Sequence, residues 1–279
     1  VNKLENDQKI EQNPVYSRVG ANNNFYSVLI FLFFYWEIMG SKFGVQNYLR
    51  SGTITADPSL SGFGAANALD GRTSTHAGYG AGSRTISFSF ASAPVGYIAL
   101  GKNNFGDSGA SVSVYVGGTL RGTHTFTKNQ VYMWTFSTVT ASNCSFVISA
   151  ASNFFLCDFA CGPVIELPKL MQVGFEPARF SDDDEIIANY TLASELNGIS
   201  VRAKPKRTTI EIKDVHFSWF DSNFETFIKY SKNYPFYFLF APDDRPNDAL
   251  YCWLNKSLGS VKYTKRTYQS ISLSVEGYT

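Results

Sequence analysis

Between residues 84 and 149 apolar side chains recur at every second position, in short runs separated by turn residues. Over Arg84–Phe90, Ile86, Phe88 and Phe90 alternate with Ser87 and Ser89. Over Ser111–Val116, Val112, Val114 and Val116 alternate with serine and tyrosine, and Val131–Phe136 and Cys144–Ser149 follow the same rule. A period of two places one set of side chains on one face of a strand. Gly106-Asp107-Ser108-Gly109 and Gly117-Gly118 supply the turns between strands. No stretch of this half carries a helical period, so the pattern predicts a β-sandwich of many short strands.

Charge divides the chain. Residues 39–163 hold 7 Lys/Arg and 4 Asp/Glu in 125 residues, whereas residues 164–279 hold 14 and 15 in 116 residues. A change this abrupt at Gly162-Pro163 predicts a domain boundary there. The second half reads as strands at Ile186–Leu192, Arg207–Lys213, Pro235–Phe240 and Tyr268–Glu276. One helix is expected over about 222–233: Ser222 and Glu225 fit a capping box, Phe224, Phe227 and Ile228 form its apolar face, and Pro235 ends it. The expected fold class is therefore mostly β, a sandwich over 39–163 and a β-rich α+β domain with one helix over 164–279. The aromatic strands FYFLF and YCWL exceed what a small isolated sheet needs. Neighbouring subunits are expected to cover the excess, in a homo-oligomer.

Residues 1–38 stand apart as a leader. A polar, Asn-rich stretch precedes the twelve-residue apolar run Phe25–Trp36, which is shorter than the roughly 20 residues a membrane-spanning helix needs. Three readings are open: translation called from too far upstream of Met39, an anchor or assembly arm, or a signal peptide.

Composition narrows the chemistry. Only 17% of residues are charged, 16% are aromatic, and the formal net charge is +1. A chain this aromatic does not suit disorder, and one this neutral offers no basic field for nucleic acid. There is no dinucleotide-binding glycine motif, P-loop, H-E-x-x-H or nucleophile elbow. His76, His124 and His216 lie on separate elements. Glycoside hydrolysis needs two facing carboxylates, and the first half has only Asp57, Asp70, Asp107 and Asp158. The cysteines 144, 157, 161 and 252 form no C-x-x-C pair and read as core thiols, with a disulfide left open. The acidic run 182–185 reads as a solvated loop. Arg202, Lys204, Lys206 and Arg207 read as a salt-bridged edge strand or a partner contact.

At residues 65–75 the string AANALDGRTST resembles the signature A-x-x-A-x-D-G-x-x-x-T-x-W of discoidin (coagulation factor 5/8 type C) domains. Ala65, Ala68, Asp70, Gly71 and Thr75 match, and NNFGDSGASVSVYVG at 103–117 is similar to a later strand of that family. The tryptophan is missing, with His76-Ala77-Gly78 in its place. The resemblance covers roughly 45–160 and implies a galactose-binding-like jelly roll whose loops at one end hold a glycan. It points to His76, Tyr79, Arg84, Asn103, Asn104 and Phe105 as carbohydrate-binding residues. It also implies a structural calcium with Asp70 and Thr75 as ligands. Read from the residues alone, Asp70 before Gly71 is a turn residue bonding its own backbone.

Residues 164–279 resemble the β-rich C-terminal region of certain bacteriophage tail proteins, through VIELPKLMQVGFEPARFSDDDE, YPFYFLFAPDD and ALYCWL. Together the two resemblances imply a non-enzymatic component of a tailed-phage virion at the tail tip or baseplate. It would assemble in the host cytoplasm, with other tail proteins and a host surface glycan as partners. The alternative is a secreted or cell-surface carbohydrate-binding protein, and a glycan-degrading enzyme is a third class.

Overall fold

The structure is a computed structural model, and it describes residues 40–168, 177–178, 185–190, 194–202, 204–256 and 261–279. The expectations for the leader 1–38 and for Asp182, Asp183 and Asp184 lie outside the described residues.

In chain order the strands are β1 (Lys42–Gly44), β2 (Thr53–Ala56), β3 (Ala77–Tyr79), β4 (Gly82–Leu100), β5 (Ser111–Val116) and β6 (Thr119–Thr125). β7 (Tyr132–Ala150), β8 (Phe154–Leu156), β9 (Phe159–Gly162) and β10 (Val164–Glu166) follow, then β11 (Glu185–Tyr190), β12 (Leu196–Arg202) and β13 (Lys206–His216). The last are β14 (Phe236–Leu239), β15 (Ala249–Leu254), β16 (Lys262–Lys265) and β17 (Tyr268–Tyr278). All pairings are antiparallel. The sandwich contains a sheet ordered β2-β4-β7-β5-β6, with β9 also on β4, and the ribbon β3-β8. The second half forms a sheet ordered β10-β1-β14-β15-β17-β13, with β16 also on β17, and β11-β12 pair by themselves. No helix among the described residues is long and apolar enough to cross a membrane.

Alternation is realised where one face of a strand is buried. Ile86 and Phe88 of β4, Val112, Val114 and Val116 of β5, and Phe146 and Ile148 of β7 point into the sandwich core. The two runs read separately at 131–136 and 144–149 are one 19-residue strand, β7, paired along β4 with register shifts between Ser89/Ala93 and Val95/Tyr97. Bulges of this kind bend long strands without ending them.

The boundary at 163 does not hold as a division between separate domains. β1 lies in the second sheet, between β10 and β14: Phe43 faces Ile165 on one side and Phe238 on the other. Residues 40–279 belong to one compact unit. At β1, β14 and the start of β15 the second sheet is buried on both faces. Phe236 and Phe238 of β14 and Leu250 and Cys252 of β15 pack with Phe224 and Phe227 of the helix. The alternate residues Tyr237, Leu239, Ala249 and Tyr251 pack against Tyr97, Ala99, Val131 and Met133 of the sandwich. The aromatic excess of FYFLF and YCWL is thus covered inside the chain, because the two halves share a core. The same contact explains why β4 is buried continuously from Val95 to Leu100: this stretch lies between two cores, as two-face-buried strands do.

The helix, α1, spans 217–231 and starts five residues before the expected point. His216 caps it by accepting from the Ser218 N–H, the turn Phe220–Phe224 is π-helical, and Glu225–Ser231 is regular. Ser222 is inside the helix, its hydroxyl donating to the Ser218 carbonyl at 2.8 Å, so the capping box does not form. Phe224 and Phe227 are buried as the period requires, and Lys229 pairs with Glu225 at 2.7 Å. At the far side of the sheet β13 is an edge, and its Arg207 bonds Glu276 across the β13–β17 pair at 2.6 Å. That pairing satisfies the edge-strand reading for Arg207.

Candidate functional site

The candidate surface is the outward face of the ribbon β3–β8. Its register pairs Ala77 with Leu156, Gly78 with Phe155 and Tyr79 with Phe154. Alternation then sends Ala77, Tyr79, Phe154 and Leu156 into the sandwich core and turns Phe155 outward. Phe155 lies over Gly78 and meets Phe63 edge to face, with ring centroids 5.2 Å apart. A Cβ at Gly78 would stand 2.6 Å from the Phe155 ring, so glycine is what lets the ring approach the backbone there. Phe63 is 39% exposed, and the pair forms a small apolar platform at the surface.

Polar groups flank the ribbon. Asn104 clamps Phe155: its backbone N–H donates to the Phe155 carbonyl (3.2 Å) and its side-chain oxygen accepts from the Phe155 N–H (2.7 Å). The Asn104 amide nitrogen reaches the Asn153 carbonyl at 3.3 Å. Arg84 donates from Nε to Gly80 O (3.3 Å) and from Nη2 to Ala81 O (3.2 Å), holding the turn that leads into β4. His76 precedes β3 and is half-buried. Burial, then the Lys102 charge, lowers its pKa, against a bond to the Ser74 backbone.

Of the expected residues, His76 and Arg84 flank β3 in the chain and Asn104 bonds Phe155, while the other three are taken up elsewhere. Tyr79 is fully buried and stacks on Phe154 at 5.3 Å, and burial followed by the Asp57 charge pushes its phenol up to about 12. Phe105 is fully buried between Phe126 and Phe154. Neither ring offers a face to a ligand, since strand alternation and the core claim both. Asn103 spends its side chain inside the loop, donating to Gly101 O (2.8 Å) and Gln130 O (2.7 Å) and accepting from Phe105 N–H (3.0 Å). The sequence reading overlooked Phe63 and Phe155. The doublet Phe154-Phe155 was the available signal, because adjacent residues in a strand face opposite ways.

Asp70 and Thr75 form a turn. Asp70 Oδ1 accepts from Arg72 N–H (2.8 Å), and Oδ2 accepts from the Thr75 hydroxyl (2.6 Å). Gly71 takes φ +76°, and the Arg50 guanidinium lies close enough that a Cβ at Gly71 would sit 2.7 Å from Nη1. A hard cation needs six to eight converging oxygens away from fixed positive charge. As placed, the two side chains bond each other, in keeping with the turn reading of Asp70. Among the described residues no group of three or more His, Cys, Asp or Glu side chains could hold a metal ion.

One strongly perturbed carboxyl lies elsewhere, at the junction of the halves. Asp158 is 1% exposed, accepts from the Tyr237 hydroxyl at 2.8 Å, and faces Arg50 at 3.4 Å. Burial raises its pKa to about 7, against the pull of Arg50 and the Tyr237 bond. A carboxyl tuned to neutrality in an open cleft would be an acid–base candidate. Asp158 is sealed, and no substrate reaches it in this arrangement. The four cysteines are buried free thiols, as the core reading expected.

No family model matches the chain, and no curated protein matches it. Among solved structures it is similar to chitosan-binding module 1 of a chitosanase/glucanase from Paenibacillus sp. IK-5. The identity is 21%, over 42% of this chain and 99% of that one, with a TM-score of 0.35. A family 32 carbohydrate-binding module from Clostridium perfringens, in complex with GalNAc-β-1,3-galactose, is 13% identical over 42% of this chain and 100% of that one, with a TM-score of 0.36. A Ruminococcus gnavus fucosidase in complex with fucose is 12% identical over 43% of this chain and 27% of that one, also at 0.36. Superpositions this loose do not bear on what this chain binds.

Proposed function

We propose that this protein is a non-catalytic glycan-binding protein whose sandwich presents the Phe63–Phe155 platform to a saccharide. One observation carries the reading: a paired aromatic surface, Phe155 over Gly78 with Phe63 edge to face against it, is held by Asn104, with His76 and Arg84 on either side of β3. Apolar surface with a few fixed polar groups is what a small-ligand site requires. The discoidin resemblance at 65–75 supports it from the sequence side.

The test is affinity electrophoresis through gels containing soluble polysaccharides, run with the parent and with Phe155→Ala. Retardation in at least one polysaccharide, lost in Phe155→Ala while its far-UV spectrum is unchanged, is the expected result. Retardation that survives Phe155→Ala removes the platform from the reading, and no retardation in any gel removes the reading.

The finer proposal places the protein on a phage tail. Its support is the sequence resemblance of 164–279. The apolar surface that suggested neighbouring subunits is covered within the chain, so it lends no weight. Antibodies raised against the folded protein should label purified virions at the tail. Labelling of the producing cell's surface or medium instead would favour a secreted or cell-surface glycan-binding protein.

A further inference from the structure

A cleft of 440 Å³ opens where the loop 127–130 of the sandwich meets the second sheet. This volume lies in the range of small-ligand sites. Its floor is apolar: Phe238 and Leu250 are buried, and Phe240 lies partly open beside them. Its walls carry planar polar side chains from both halves, Asn129 and Gln130 on one side and Asn247 and Asp248 on the other.

The walls are held before any ligand arrives. Asn103 donates to the Gln130 carbonyl at 2.7 Å, and the Asn129 amide is fixed on Asp107 by bonds of 3.1 and 2.7 Å. Across the cleft, Asp248 N–H donates to Arg245 O at 3.0 Å, and the two side chains lie 3.7 Å apart. Gln130 is 8% exposed, and its side-chain oxygen has no hydrogen-bond partner among the described residues. A buried amide oxygen is costly to leave unpaired; this one is occluded in the wall, and a ligand hydroxyl completes it once the side chain turns toward the cleft.

We propose that this cleft binds a neutral pyranoside, at a site separate from the Phe155 platform. Hydroxyls both donate and accept, as amides do, whereas a wholly apolar ligand would strip water from the Asn247 amide and give nothing back. The apolar face of a pyranose ring matches the exposed part of Phe240. The Asp248 carboxylate lies in the wall and Lys128 only at the exposed mouth, so an anionic sugar gains no net attraction. The inference rests on the cleft alone and goes beyond the platform reading.

The experiment is an amide-resolved NMR titration of the whole protein. The probes are methyl β-glucopyranoside, methyl β-galactopyranoside, methyl α-mannopyranoside, N-acetylglucosamine and glucuronate. Saturable shifts of the Gln130 and Asn247 side-chain amides with at least one neutral sugar are expected. Asn247→Ala, a change at an exposed turn, should weaken that binding about tenfold, the cost of one lost hydrogen bond, while leaving shifts around Phe155 as they were. Shifts confined to Phe63, Phe155 and His76 overturn the cleft and keep the platform. Shifts confined to the cleft keep this inference and overturn the platform. Silence at both with every probe overturns both, and a cleft that answers glucuronate alone, or is indifferent to Asn247→Ala, overturns the inference.

Discussion

Asp158 makes the stability of this protein depend on pH in a direction opposite to most carboxylates. The carboxyl is sealed between the sandwich and the second sheet among Tyr97, Tyr230, Tyr237 and Tyr251, with the Arg50 guanidinium at 3.4 Å. Burial wins over Arg50, and the folded-state pKa of about 7 stands above the ordinary aspartate value of 3.8. A raised pKa means that the folded state holds the proton more tightly. The stabilisation is therefore complete below the unfolded value and is lost as pH rises toward 7. Over the pH span between the two values the loss accumulates at up to about 1.4 kcal/mol per pH unit, to about 4 kcal/mol in all. Asp158→Asn keeps an acceptor for the Tyr237 hydroxyl and removes the titration. Urea unfolding of parent and variant from pH ~4 to ~9 isolates the effect, because other groups cancel in the difference. The variant should be least favoured at pH ~4, gain on the parent up to pH ~7, and stay level above it. A flat difference would refute the titration. A parent that gains on the variant as pH rises would show that Arg50 outweighs burial, with Asp158 ionised throughout.

Asp70→Ala removes the acceptor of the Arg72 and Thr75 bonds and should cost about 1–2 kcal/mol in chemical unfolding. Calcium should leave the melting temperature of both proteins unchanged. A calcium-dependent rise in the parent that the variant lacks would restore the metal site. Cut at 163, neither half should behave as a folded monomer, because 39–163 carries β1 away from the second sheet and bares Tyr97 and Met133. A monodisperse, cooperatively unfolding 39–163 fragment in sedimentation would contradict the shared core. Thiol reagents should modify the folded protein only as fast as it unfolds, since all four thiols are buried and burial, then the Asp158 charge, pushes Cys157 up to about 12. Rapid labelling of any cysteine at neutral pH would contradict this.

Local periodicity recorded the strands that bury one face. Ile86 and Phe88, or Val112, Val114 and Val116, alternate with polar neighbours because water lies on their other side, and a period of two needs no knowledge of the partner strand. The Asp70 turn was legible for the same reason: Asp before Gly acts on its own backbone within two residues. The helix was legible by its buried face at Phe224 and Phe227. Its start was not, since the cap that formed is His216 rather than Ser222.

The tertiary structure decided what depends on distant partners. Lys42–Gly44 is three residues without a pattern, and only pairing with 164–166 and 236–239 makes it a strand of the second sheet. That single strand turns two expected domains into one unit, and the contact behind Tyr97 and Tyr251 removes the apolar surface that had suggested other subunits. Tyr79 and Phe105 have the right chemistry for a ligand and the wrong orientation, because the pleat turns Tyr79 inward and the core holds Phe105 between Phe126 and Phe154. Phe155 faces out only because β3 and β8 pair in the register that sets it over Gly78. Composition states which side chains are available; their direction follows from register, and register is settled by contacts between residues far apart in the chain.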